Sequence, residues 1–177
     1  MTGQRQRPGH LKPYSFEVTP KEVVHLSSAA GAIPGGTAIS IPFLPNDTFE
    51  NRISAAAEIR SLGFEPIPHL SARRIHSASE LDQFLFGLRT AAAIERVFVI
   101  AGDPDQPLGP IEDALSIINS GQLGHHGIKT VGISGYPEGH PKIPNEVLQQ
   151  ALLSKFAALS SAGYAVEIVT QFTFDAA

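Results

Sequence analysis

The chain of 177 residues is long enough for one domain with a sizeable core. Hydrophobic residues make up 42% of it, which excludes a disordered tail, and no apolar run approaches the roughly 20 residues that span a bilayer. A formal net charge of −4 argues against a nucleic-acid binder, and the absence of cysteine removes disulfides, thiolate metal sites and cysteine nucleophiles together.

Residues 1–13 are basic but lack the apolar stretch of a secretory signal. They read as a flexible lead-in to a folded unit over 14–177, and a cytoplasmic location is the expectation. Tyr14–Val18 reads as a first strand, and Thr19–Ala30 as a weak helix opened by Thr-Pro. Thr37–Phe43, rich in β-branched residues, is a second strand. Asn46–Leu62 has a polar start, alanines, and Gly63 as a stop signal, which predicts a helix. Phe64–Leu70 is a third strand, although Pro66 and Pro68 weaken it. Ser79–Ala92 carries Leu81, Phe84, Leu85 and Leu88 at helical spacing. Arg96–Ala101 is a strong fourth strand, and Pro110–Asn119 a helix with proline in its first turn. Thr130–Ser134 is a fifth strand, Pro144–Ser161 the longest helix, and Val166–Phe172 a sixth strand.

Strands alternating with helices imply parallel βαβ units. Right-handed crossovers leave two choices, an open doubly wound sheet or a (β/α)8 barrel. No G-x-G-x-x-G follows the first strand, so a dinucleotide-binding sheet loses its main fingerprint. Six strands are two short of a closed barrel. The pattern alone leaves both architectures open.

In either architecture the site lies at the C-terminal ends of the strands. Unusual residues fall there: Glu17 in the first strand, His69 closing the third, Gly102-Asp103 after the fourth, Tyr136, Glu138 and His140 after the fifth, and Gln171 in the sixth. Each has a plain structural reading too. Glu17 can point outward to a helix, His69 can be a satisfied core histidine, and Asp103 can be turn chemistry. Gln171 can tie two strands together. If Glu17 faces a barrel interior, burial raises its pKa toward the range of a general acid. His125-His126 is followed by no further ligand at metal spacing, and neither a serine-hydrolase elbow nor a P-loop is present.

Five segments occur in a recognisable order: SFEVTPK, PHLSAR, AGDPDQPLG, GYPEGHP and VTQFTFD. Together they resemble the strand-end motifs of the methylenetetrahydrofolate reductase family, from residue 15 to the end of the chain. The resemblance implies a (β/α)8 TIM barrel, here its first six β/α units. It implies an oxidoreductase of one-carbon and methionine metabolism acting on CH–NH bonds. Such an enzyme reduces 5,10-methylenetetrahydrofolate to 5-methyltetrahydrofolate with NADH or NADPH, through FAD. By position, Glu17 would protonate a folate nitrogen and open the five-membered ring to an iminium. Asp103 would sit near pterin and flavin and tune both, and Gln171 would hydrogen-bond the pterin. His69, Ala101, Gly102, Asp103, Tyr136 and His140 would line the flavin pocket.

The sequence departs from the family at places that matter for the flavin. Ala101 stands where flavin-dependent members have arginine, Pro42-Phe43 where they have Thr-Tyr, and Leu159 where a lysine faces the flavin phosphates. Losing two cations removes partners of a diphosphate, so flavin is expected to bind differently, weakly or not at all. Without it, hydride would pass directly from the nicotinamide to the folate. A family member that binds folate without reducing it is the rival expectation. The family's seventh and eighth strands are not in this sequence. A barrel left at six strands is expected to be unstable alone or to lean on another chain, a homo-oligomer included.

Overall fold

The computed structural model describes residues 14–174; the segment 1–13 and Asp175 of the last motif lie outside the described residues. Six strands, β1 (Ser15–Glu17), β2 (Ala38–Ile41), β3 (Glu65–Ser71), β4 (Arg96–Ile100), β5 (Thr130–Gly135) and β6 (Ala165–Thr170), form one parallel sheet in the order 1-2-3-4-5-6. Each strand pairs with its neighbour in sequence. Right-handed crossovers between sequential neighbours put every helix on the same face of the sheet. That is the singly wound order of a curled half-barrel; a doubly wound sheet reverses its strand order at a switch point.

The outward face holds the stability. Ile39, Ile41, Val97, Val99, Val131 and Ile133 are fully buried there. Each such side chain contributes about 1.5–3 kcal/mol on burial. The longer covering helices are α1 (Val23–Ala29), α2 (Phe49–Ser61), α3 (Ala78–Ala92) and α6 (Asn145–Ser161), with two shorter ones, α4 (Ala114–Asn119) and α5 (Gln122–His125). Helix α2 starts on Thr48, whose hydroxyl accepts from Asn51 N at 3.3 Å while Asn51 Oδ1 accepts from Thr48 N. Gly63 and Gly163 follow α2 and α6 with φ of +85° and +83°, the left-handed geometry that lets glycine end a helix.

A helix start needed correction, and one short helix was not read from the pattern. The helix read from Pro110 starts instead at Ala114, because Asp113 caps it by accepting from Ser116 N at 2.8 Å. Pro110 belongs to the preceding loop. Helix α5 carries no apolar period long enough to be read. The prolines of β3, by contrast, are accommodated in a central strand. Glu65 N donates to Thr37 O on the β2 side, so by alternation Pro66 and Pro68 present their ring nitrogens toward β4. Pairing with β4 begins only at His69↔Phe98, so no ladder bond is lost.

Candidate active site

The inner face of the half-barrel mixes polar and apolar side chains. Parallel register puts Glu17, Ser40 and Ile67 at one level and His69, Phe98, Gly132 and Glu167 at another. These side chains border a cavity of about 430 Å³, which also meets Arg96, Tyr136 and Gln171. Its volume lies within the range of small-molecule sites. A smaller cavity of about 100 Å³ shares Ser134, Gly135 and Tyr136 with it and runs toward α6. Gly132 keeps the space open, since a Cβ there would meet Phe98 Cδ2 at 2.8 Å.

Glu17 Oε2 lies 3.8 Å from His69 Nε2. The Glu17 side chain is 55% exposed on the sheet edge, yet partial burial raises its carboxyl pKa above the ordinary value. His69 is buried, and burial together with the nearby Arg52 guanidinium brings its pKa down to about 4. At neutral pH the contact is therefore between a carboxyl group and a neutral imidazole, not an ion pair.

Arg52 explains the position of His69. It is fully buried on α2, and its guanidinium donates to Pro42 O at 3.1 Å and to His69 O, tying the ends of β2 and β3. Burial pushes its pKa down to about 9, against the opposing charge of Asp47. Its Cζ sits 4.3 Å from the Phe43 ring and 4.8 Å from the Phe84 ring. The Pro42-Phe43 departure thus builds the seat of this arginine.

The sequence-derived residues divide into two groups. Glu17, His69, Tyr136 and Gln171 border the large cavity. Gln171 is exposed just past β6, its backbone N–H still donating to Gly135 O at 2.9 Å. Ala101, Gly102, Asp103 and His140 do not border it. The Asp103 side chain is 88% exposed and lies 3.8 Å from Arg74 Nη2. Its loop turns away after Gly102, at φ +95°, and is fastened to the turn after β3: Arg73 N donates to Ala101 O, and Arg73 Nη1 to Pro104 O. Of the three groups expected to converge, Glu17 and Gln171 border this cavity and Asp103 does not. His140 stacks edge-on against Tyr136 with ring centroids 5.5 Å apart, and its Nδ1 accepts from Lys142 N. Glu138 accepts from Thr173 Oγ1 and Phe174 N, joining the loops after β5 and β6.

Two cavity residues were missed from sequence. Arg96 Nε donates to Glu167 Oε2 at 2.9 Å across β4 and β6. Both are charged residues inside apolar strands, the same signal that singled out Glu17.

Among the described lining residues Arg96 is the one cation, and Glu167 holds it. Leu159 is fully buried in the core, so its position does not reach a ligand phosphate. The described residues that line this cavity do not fit the diphosphate of a resident flavin. No helix among the described residues is long and apolar enough to cross a membrane. No family model matches the chain.

Proposed function

We propose that the chain carries the folate-binding half of a methylenetetrahydrofolate reductase barrel, an oxidoreductase in which hydride passes directly from NADH or NADPH to the folate. The observation that carries this reading is the pairing of Glu17 and Gln171 on one cavity, with a carboxyl whose pKa is raised. A pterin fits such a site by its chemistry: an amide to bond its edge, aromatic and apolar walls for its ring, and an acid beside it. Glu17 donates its proton to a folate nitrogen, the five-membered ring opens, and the iminium carbon takes hydride from the nicotinamide. The nicotinamide leaves oxidised and the carboxylate is reprotonated from water.

Direct transfer is favoured over a flavin relay by the cavity lining. A co-substrate that comes and goes need only bring its nicotinamide ring to the folate, whereas a resident flavin has to be held between turnovers. The full (β/α)8 closure, completed by further strands or by a second copy of the chain, belongs to the same proposal. So does a cytoplasmic setting.

The test is oxidation of NADH or NADPH that depends on methylenetetrahydrofolate, run beside the visible spectrum of the purified protein. Turnover by a colourless protein supports the reading. A flavin spectrum that survives gel filtration rejects direct transfer. Thermal stabilisation by folates without nucleotide oxidation supports instead a protein that binds folate and does not reduce it.

A further inference from the structure

On the outer helical layer, away from the large cavity, the fold brings Asp82 against the distant, sequence-adjacent pair His125 and His126. Asp82 lies on α3; His125 ends α5 and His126 follows it. One ligand atom from each lies within 4.8 Å of the others. His126 Nε2 is 2.7 Å from Asp82 Oδ1, and the two histidine rings meet edge-on at 5.0 Å between centroids. None of the three borders the cavity described above.

We propose that Asp82, His125 and His126 bind one divalent transition-metal ion of the zinc class, which clamps α5 to α3. Two imidazole nitrogens and one carboxylate oxygen form a donor set suited to zinc, cobalt, nickel or copper, with water completing the coordination. The arrangement is partly built in advance. His126 is buried, its carbonyl accepts from Arg89 Nη1 at 2.7 Å, and Gly127 with φ +74° turns the chain beside that guanidinium. The His126 backbone therefore has little freedom to lose on binding. His125 is exposed and Asp82 half-exposed, so an ion reaches them from solvent. Binding replaces the hydrogen bond between His126 and Asp82, the ring proton of the neutral imidazole moving to the nitrogen that does not face the ion.

The test uses untagged full-length protein and two probes, zinc by equilibrium dialysis and cobalt by its visible absorption. The expected result is one zinc ion per chain, cobalt bands of a nitrogen–oxygen site, and a melting temperature raised by zinc. His125→Ala and Asp82→Asn are each expected to weaken zinc binding at least about tenfold and to remove the thermal shift. His125 is exposed, so its replacement keeps the metal-free fold even if Asp82→Asn does not. No one-to-one binding up to about 1 mM zinc, or affinity unchanged in His125→Ala, overturns the proposal and leaves His126–Asp82 as a plain hydrogen bond between helices.

Discussion

The Glu17 carboxyl and the His69 imidazole meet at 3.8 Å across the mouth of the inner face, although β2 separates their strands. The meeting is possible because His69 stands two residues above the level of Glu17, Ser40 and Ile67, on the same face of a curled sheet. A neutral imidazole at this distance brings no positive charge to hold the carboxyl ionised. That suits an acid that must keep its proton.

Glu17→Gln is expected to lower the rate of reduction by about 10²–10⁴-fold while leaving folate binding within a few-fold, since general acid catalysis is worth about that much. In the parent protein kcat/KM falls as pH rises through the Glu17 pKa, which lies above the usual carboxylate value. The variant loses that limb. Steady-state rates across pH check both statements, and an unchanged limb in Glu17→Gln removes Glu17 from the chemistry.

Stability is expected to decline on acidification because of His69. Its folded pKa, about 4, lies below the ordinary 6.5, so the unfolded chain takes up the proton first. The loss begins as pH falls below 6.5 and is complete near 4, amounting to about 3 kcal/mol. Urea midpoints at pH 7 and pH 5 capture a little over half of it, and His69→Gln flattens the difference between them.

Arg52→Ala is expected to destabilise the fold by about 3 kcal/mol or more, because Pro42 O and His69 O lose a buried donor and a cavity opens between Phe43 and Phe84. Arg52→Met, which fills the space without donating, loses less. Chemical denaturation of the two variants separates the hydrogen-bonding share from the packing share.

Gly109→Ala is expected to cost about 1–3 kcal/mol, the usual toll of overpacking. Its Cβ would sit 2.4 Å from His76 O and 2.5 Å from Ile75 O, and neither backbone atom can swing aside. The loop carrying Asp103 would have to lift from the turn after β3. Limited proteolysis within 101–113 reports that lifting, and an unchanged cleavage rate and denaturation midpoint count against it.

Much of the fold was legible because strand and helix periods are local. The strands were found near their observed places, even the one carrying Pro66 and Pro68. Helix α5 was not, since four residues hold no period. The site was legible where a polar residue stands out within an apolar strand or at its end, as at Glu17 in β1 and Gln171 just past β6. Asp103 looked equivalent in sequence, but the turn at Gly102 and the grip of Arg73 are set by a neighbouring strand that local pattern does not reveal. Asp82 and His126 lie 44 residues apart, and only the packing of α5 on α3 joins them.

The imino acids of β3 act on the site from a distance. If β4 slid toward the start of β3, its carbonyl oxygens would face Pro66 and Pro68, which have no hydrogen to offer. Such misalignment forfeits bonds, and the alignment that forfeits none sets His69 level with Phe98, Gly132 and Glu167. Two residues without an amide proton thereby act as a vernier for the cavity floor, selecting which side chains can share it.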